Sequence, residues 1–187
     1  MKRIGLDADD VIFDTSSLIL EKLGIDNSNR SKLTKFSIED TFNISKDEVY
    51  EAVVEACGSD YIEPVINAIY YLKKIISRYG RIWIISNRKS IPITKSIQQL
   101  ENLGFDRSQF GIFHTANNEE GIPDKAPVVK GLELDVFVED RLDTALDVYS
   151  KCRDCEVILM DAPWNRITRS ILTRAYYWKD LYYKIIT

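Results

Sequence analysis

The chain has 187 residues, a mass of 21.6 kDa and 45% hydrophobic residues, enough for one core with a small additional lobe. Its net charge of -4 and sequence pI near 5.2 exclude a protein that binds long nucleic acid through a basic face. They allow a small anionic ligand at one local site. No run approaches the roughly 18 apolar residues of a membrane span, and no apolar signal stretch follows the first three residues, so we expect a soluble, cytoplasmic protein with no membrane partner.

The first predicted element is a short buried strand that ends in acids. Its apolar residues up to Leu6 are followed by Asp7, Asp9 and Asp10. Three carboxylates within four residues repel one another unless a cation or a proton compensates. The segment therefore predicts a divalent metal site at a strand end, with a solvated acidic turn as the alternative that the segment alone leaves open.

The next stretch predicts a small helical insertion. Apolar residues recur at helical spacing over residues 12–23, and Gly24 is a typical helix end. Residues 25–61 are polar and contain no convincing strand, while Ser45 and Glu48 have the spacing of a capping box. This composition is typical of a helical lobe that lies over the end of the first strand.

From residue 62 onward, helical and strand patterns alternate along the chain. This alternation predicts βαβ units and hence an α/β, Rossmann-like, doubly wound parallel sheet that is covered on both faces. The predicted helices are residues 62–79, 91–103, 126–131 and 143–151. The predicted strands are residues 81–86, 110–114, 134–138 and 156–160. The predicted division is a core of residues 1–14 and 62–187 with a helical cap of residues 15–61 inserted after the first strand.

Polar residues follow the predicted strands, at the edge where ligands of parallel sheets bind. Carboxylates, a hydroxyl, an amide and a lysine together favour a site for a metal ion and a phosphate group. The set comprises Asp7, Asp9 and Asp10 after the first strand, Ser86, Asn87 and Arg88 after the second, Glu139, Asp140 and Asp143 after the fourth, and Lys125 or Lys130 between them.

This ordered set resembles the haloacid dehalogenase (HAD) superfamily, whose signature is Asp-x-Asp, then Ser or Thr, then Lys, then a pair of acids. The matching residues are Asp7-Ala8-Asp9, Ser86, Lys125 and Glu139-Asp140, within a match that spans most of residues 3–165. In that superfamily the second acid, here Asp9, is typical of phosphatases, because it protonates a leaving alcohol.

The finer pattern is similar to the 5'(3')-deoxyribonucleotidase family. The shared features are Val11, Arg88, the run from Glu139 to Asp143, Pro163-Trp164-Asn165 and the terminal residues 177–181. This chain departs from the family at Asp10, where a glycine is usual, and at Glu139, where an aspartate is usual. Both departures keep or add negative charge, so we expect them to affect substrate preference more than metal binding.

The resemblance implies a Mg²⁺-dependent phosphatase mechanism. Asp7 would attack phosphorus as the nucleophile, and Asp9 would protonate the leaving oxygen and then activate water. Mg²⁺ would be bound by Asp7, by the backbone carbonyl of Asp9 and by Asp140. Ser86, Asn87 and Lys125 would hold the phosphate oxygens, with supporting roles for Asp10, Arg88, Glu139 and Asp143.

Several residues keep two interpretations at this stage. Asp10 either belongs to the site or caps the following helix. Asp143 either orients the lysine or caps its own helix. Lys130 is the alternative to Lys125, although Lys125 starts its helix, where its side chain could reach a phosphate. His114 either lines the pocket or is a plain loop histidine.

Aromatic residues raise two further expectations. Those in or near the cap are candidates for stacking on a nucleoside, namely Phe13, Phe36, Tyr50 and Tyr61. The aromatic residues at positions 176–178, 182 and 183 recur at helical spacing, which favours packing or a homodimer contact.

The function expected from these features is a Mg²⁺-dependent phosphomonoesterase whose partner is a small phosphorylated substrate, a nucleoside monophosphate. One alternative is a HAD phosphatase for another phosphorylated metabolite or for a nucleic-acid end. A second is a catalytically silent binding protein that keeps the fold. The intact set of Asp7, Asp9, Ser86, Lys125 and Asp140 favours an enzyme.

Overall fold

A computed structural model describes residues 1–88, 90–119, 121–166 and 171–187. Within these residues a six-stranded sheet runs through the molecule. Its strands are β1 (Ile4–Leu6), β2 (Ile82–Ser86), β3 (Phe110–His114), β4 (Val136–Glu139), β5 (Glu156–Met160) and β6 (Thr173–Ala175). Most of them are runs of Ile, Val, Leu and Phe, as expected for strands that are buried on both faces.

All neighbouring strands are parallel and lie in the order β3-β2-β1-β4-β5-β6. The chain builds outward from β1 on one side and then crosses to β4 on the other side, so the strand order reverses between β1 and β4. In doubly wound sheets, ligands bind at this point, beyond the carboxyl ends of the strands. The predicted α/β, Rossmann-like fold class is therefore confirmed.

Helices surround the sheet and form the cap segment, which we define as residues 15–61. The elements of the cap segment are α1 (Thr15–Lys22), a 3₁₀ turn (Asn27–Lys32), α2 (Ile38–Phe42) and α3 (Lys46–Gly58). The core helices are α4 (Ala68–Tyr79), α5 (Ile93–Asn102), α6 (Ala126–Gly131), α7 (Leu142–Lys151) and α8 (Trp178–Ile186). The predicted capping box of Ser45 and Glu48 starts α3. Among the helices of the described residues, none has the length and apolar character needed to cross a membrane.

Each face of the sheet has its own hydrophobic cluster. Leu6 and Val138 pack with buried residues of α4, α5 and α8 on one face. Ile85 and Phe137 pack with residues of α6 and α7 on the other face. Both faces are covered by apolar side chains, and the buried carboxylates Asp7, Glu139 and Asp140 lie at or just beyond strand ends.

The two chain segments that flank the cap segment lie side by side. The N–H of Val65 donates to the carbonyl of Ile12 at 2.8 Å. Residues 62–67 are used in this crossing, and Asn67 has a left-handed backbone with a φ of 65°. For that reason α4 begins at Ala68 and not at residue 62, as the apolar periodicity predicts.

Other elements also differ from the predicted bounds, and α5 begins at Ile93 and not at residue 91. α1 begins at Thr15 and not at Ile12, because the N–H of Ile12 closes a turn onto the carbonyl of Ala8 at 2.9 Å. β4 begins two residues later than predicted. β6, which pairs with β5, was not predicted. Its three residues, Thr173–Ala175, form no apolar run that would indicate a strand.

We predict that Gly5→Ala destabilises the protein by about 1–3 kcal/mol through overpacking. A Cβ at this position would lie 2.3 Å from Cδ1 of Leu134, which is buried, and 3.2 Å from the ring of Phe137. Gly131→Ala is the matched control, because a Cβ there meets no atom within 4 Å. Urea denaturation of both variants measures the difference, and equal stabilities would contradict the proposed clash.

Candidate active site

An acidic cluster forms where two strands end and one helix begins. Asp7 follows β1, Glu139 ends β4, Asp140 comes next, and Lys125 precedes α6. Lys125 Nζ lies 2.8 Å from Asp7 Oδ1 and 2.8 Å from Glu139 Oε2. Carboxylate oxygens of Asp7, Glu139 and Asp140 lie within 4.8 Å of one another, and all four side chains are buried. The fold thus brings the two predicted metal ligands, Asp7 and Asp140, to one place.

The charges of this cluster do not balance on their own. Burial raises the pKa of Asp7 well above its ordinary value; Lys125 opposes this shift, and neighbouring carboxylates add to it. Burial and neighbouring carboxylates, first among them Glu139, likewise raise the pKa of Asp140 well above its ordinary value. One buried lysine faces three buried carboxylates, so a bound divalent cation would stabilise their ionised forms.

The donor atoms of the cluster fit Mg²⁺, which prefers carboxylate oxygens. Asp7 Oδ1 accepts a hydrogen bond from the N–H of Ala8 at 2.7 Å, and Asp140 Oδ2 accepts one from Trp164 Nε1 at 2.9 Å. These bonds orient both carboxylates before any ion binds. The side chain of Asp9 lies outside the cluster; the ligand predicted there is its backbone carbonyl, which stays a prediction.

Glu139 is engaged differently from the other two acids. Its Oε2 accepts from Lys125, and its Oε1 accepts from the backbone N–H groups of Asp140 and Arg141, each at 3.1 Å. These bonds use both carboxylate oxygens, so Glu139 serves chiefly to hold the lysine and the following turn in place.

Asp9 is clamped by a buried arginine. Arg88 donates from Nε to Asp9 Oδ2 at 2.9 Å and from Nη2 to Oδ1 at 2.5 Å, and hydroxyl groups of Thr15 and Ser86 donate to the same carboxylate at 2.6 and 3.1 Å. Burial alone would raise the pKa of Asp9, but the charge and hydrogen bonds of Arg88 outweigh it and lower the pKa to about 2. In this arrangement Asp9 is an ionised proton acceptor.

A buried hydrogen-bond chain connects Arg88 to the cap segment. Arg88 Nη1 donates to Gln99 Oε1 at 2.6 Å, and Gln99 Nε2 donates to the carbonyls of Cys57 and Ser59 at 2.9 and 2.7 Å, at the end of α3. Gln99 is 1% exposed. The sequence offered no signal for this role, since a glutamine on an amphipathic helix ordinarily faces solvent.

Asp10 connects the acidic turn to the cap segment. Its backbone is left-handed, with a φ of 57°, a conformation that glycine adopts more readily than other residues. Its Oδ1 accepts from the backbone and hydroxyl of Ser16 and pairs with Arg30 Nη2 at 3.1 Å. Burial raises its pKa to about 6 despite Arg30. Asp10 therefore accepts hydrogen bonds from the first turn of α1 and also pairs with Arg30 of the cap segment.

The predicted phosphate-binding residues lie beside Asp9 and Asp7. Ser86 contacts Asp9, as described above, and Asn87 lines the cavity over the acids while its Nδ2 donates to Asn117 Oδ1 at 2.8 Å. Lys125 reaches the acids. Lys130 is exposed at the far end of α6, so the structure excludes it as the lysine of this site.

Asp143 and His114 lie at the margin of the site. Asp143, in the first turn of α7, pairs with Arg141 at 2.6 Å and accepts from the N–H of Thr144 at 2.7 Å, and none of its described contacts is with a lysine. His114 Nε2 lies 3.1 Å from Ser96 Oγ. It does not line the cavity over the acids, and it is the last residue of β3, paired with Ser86 of β2, so it is neither a pocket residue nor a loop histidine.

A cavity of about 300 Å³ lies between the acids and the cap segment. Its cap wall is mainly apolar and includes Ile19, Phe36, Tyr50, Val53 and Val54. Phe13 and Tyr61 were wrongly expected to contact substrate: Phe13 is buried under Arg88, and Tyr61 is exposed and bonds to Glu63. The side chains of Phe36 and Tyr50 do line this cavity.

Comparisons with known proteins agree with the predicted resemblance at the level of the fold. A HAD-superfamily hydrolase from Ehrlichia chaffeensis aligns over 100% of this chain and 98% of its own, with a TM-score of 0.52 and 14% identity. A "putative HAD-hydrolase" from Bacillus subtilis, solved bound to magnesium, aligns over 100% and 99%, with a TM-score of 0.57 and 12% identity. The fold of this chain is therefore that of the HAD superfamily.

Sequence comparison adds one relative. A protein from Halalkalibacterium halodurans that carries the name "Putative nucleotidase" is 23% identical over 194 residues, which cover 96% of this chain and 90% of that protein. No protein-family model matches the chain.

We predict that Lys125→Met destabilises the protein by about 3–5 kcal/mol at neutral pH in the absence of Mg²⁺, because it leaves Asp7 and Glu139 buried without a cation. Since burial raises the pKa of Asp7, a proton compensates part of the loss as pH falls, so the destabilisation should shrink toward pH 5. Thermal unfolding across pH measures both effects. Lys130→Met, at an exposed position on the same helix, is the control and should unfold like the wild type.

Mg²⁺ should stabilise the folded protein by mass action. At a free concentration 100 times its Kd, the gain is about 2.7 kcal/mol. Asp140→Asn should abolish most of this gain because it removes a charged donor, whereas Asp154→Asn, at an exposed position, should keep it. Unfolding temperatures with and without MgCl₂ test this, and equal gains in the two variants would contradict a metal site at Asp140.

Proposed function

We propose that this protein is a Mg²⁺-dependent phosphomonoesterase that dephosphorylates (deoxy)nucleoside monophosphates through an aspartyl-phosphate on Asp7. The observation that carries the proposal is the acidic cluster of Asp7 and Asp140, bridged by Lys125, on the floor of a cavity with Asp9 beside it. The fold shared with HAD-superfamily hydrolases and the name of the relative from Halalkalibacterium halodurans, a nucleotidase, support hydrolysis of a phosphate ester.

Asp7 is the group best placed to attack phosphorus. Its carboxylate would displace the ester oxygen, so that the bond between Asp7 and phosphorus forms while the bond to the leaving alcohol breaks. Bound Mg²⁺ supplies positive charge that offsets the repulsion between the phosphate and this carboxylate. Lys125, which is 2.8 Å from Asp7, favours the ionised form of the nucleophile and contributes a second cation next to the transferred group.

Asp9 would move the protons of both steps. An incoming phosphate brings negative charge next to Asp9 and competes for Arg88, and both effects favour the protonated carboxyl that donates to the leaving oxygen. Ionised Asp9, the form that Arg88 holds, then accepts a proton from water as the water attacks phosphorus. That attack breaks the bond to Asp7 and releases inorganic phosphate.

The size and charge of the cavity favour a nucleoside monophosphate as substrate. The cap wall offers Phe36 and other apolar side chains to a planar base. Among the described residues that line the cavity, each cation is already paired with a carboxylate: Arg88 with Asp9, Lys125 with Asp7 and Glu139, and Arg141 with Asp143. A substrate with a second phosphate would therefore lack a counter-charge.

Hydrolysis of p-nitrophenyl phosphate tests the reaction class. We expect turnover that needs Mg²⁺, falls to the buffer background in Asp7→Asn, and falls by about 10²–10⁴-fold in Asp9→Asn, the usual worth of acid-base help. Asp154→Asn should behave as the wild type, since its side chain is exposed. Unchanged turnover in Asp7→Asn, or no turnover by the wild type, would rule out the covalent mechanism.

A substrate panel tests the specificity. Values of kcat/KM for nucleoside 5'- and 3'-monophosphates should exceed those for glucose 6-phosphate and for nucleoside diphosphates, because only the monophosphates combine one phosphate with a planar base. Similar values across the panel would refute the nucleotidase assignment and leave a general phosphatase.

A further inference from the structure

The indole of Trp164 lies between the acidic cluster and the cap segment. Trp164 belongs to the short 3₁₀ turn Pro163–Asn165 that follows β5, and its Nε1 donates to Asp140 Oδ2 at 2.9 Å. The next residue, Asn165, is 1% exposed and donates to the backbone carbonyls of Asp140 and Met160 at 2.6 and 2.8 Å. This turn therefore holds both the backbone and the side chain of a candidate metal ligand.

The same indole is contacted by two side chains of the cap segment. The ring of Phe36 meets Trp164 edge to face, with 5.7 Å between centroids and 76° between planes. The guanidinium of Arg30 lies 5.4 Å from the centre of the indole. Arg30 also pairs with Asp10 at 3.1 Å and donates to the hydroxyl of Ser16 at 2.7 Å. Arg30 thus touches the turn after β1 and the turn after β5 together.

An indole is well suited to orient a metal-binding carboxylate. Its N–H is a single donor with no acceptor, so it bonds well to the ionised carboxylate and fixes the rotation of that group. Mutation of a residue that orients a metal ligand by a hydrogen bond typically lowers metal affinity by about 10–100-fold.

We propose that Trp164 is a positioning residue that sets the orientation of Asp140, and that Arg30 and Phe36 hold Trp164 in place when the cap segment is seated. Metal binding at Asp140 and seating of the cap then strengthen each other, because coupling between two binding events is reciprocal. This inference rests on the proposed Mg²⁺-dependent function.

Calorimetric titration of the purified protein with MgCl₂, without substrate, tests the positioning role. Trp164→Phe keeps an aromatic ring against Phe36 and Arg30 but loses the N–H, so the Kd for Mg²⁺ should rise about 10–100-fold. Arg30→Met leaves the indole N–H intact but removes the contacts of Arg30 with Trp164 and Asp10, and it should raise the Kd by about fivefold or more. Trp83→Phe is the control: this tryptophan packs against Phe113, does not line the cavity and should leave the Kd unchanged.

A second measurement tests the coupling in the opposite direction. Lys35 is exposed in the cap segment, next to Phe36, so trypsin cleavage there reports on how firmly this part of the cap is seated. Mg²⁺ should slow that cleavage in the wild type and in Trp83→Phe, and should have little effect in Trp164→Phe.

The outcomes separate this inference from the proposed function. A wild type that binds no Mg²⁺ at millimolar concentration overturns both. Wild-type binding with an unchanged Kd in Trp164→Phe, or a loss that Trp83→Phe reproduces, overturns only the role of Trp164. Equal protection from trypsin by Mg²⁺ in the wild type and in Trp164→Phe overturns the coupling to the cap.

Discussion

The burial of Lys125 between Asp7 and Glu139 is the interaction on which the rest of the site depends. A buried ammonium is stable only with close negative partners, and buried carboxylates are stable only with a cation. The sheet meets both needs by ending β1 and β4 next to each other, with Lys125 reaching in from the start of α6. A bound divalent cation would compensate the excess negative charge that remains.

Polar groups of the cap segment are linked by hydrogen bonds to residues that contact the acids. The carbonyls at the end of α3 accept hydrogen bonds from Gln99, which in turn holds Arg88 against Asp9. Tyr50, in α3, bonds to Ser90 at 3.0 Å across the cavity. Through these hydrogen bonds, a movement of the cap segment would shift Arg88 and Asp9. Apolar contacts alone are less directional and would couple the two parts more weakly.

Asp10 and Glu139, the two residues that depart from the pattern of the family that the sequence resembles, each make contacts that account for their presence in this chain. The left-handed backbone at Asp10 favours glycine, and the carboxylate there instead gains bonds to Ser16 and Arg30. The longer side chain of Glu139 reaches Lys125 with one oxygen and accepts the N–H groups of the next two residues with the other. Both departures add contacts around the cluster and leave the carboxylates of the candidate metal ligands Asp7 and Asp140 in place.

The sequence by itself determined the alternation of helices and strands and the position of Asp7 and Asp140 at strand ends, because strand periodicity and parallel topology place such residues at one edge. Only the tertiary structure decided that Lys125 and not Lys130 joins the acids, and that Asp9 pairs with Arg88, 79 residues away. The contacts of Gln99 and Trp164 were likewise invisible in the sequence. Such pairings depend on where loops and helix ends bring side chains together in space, and no local pattern in the chain encodes that distance.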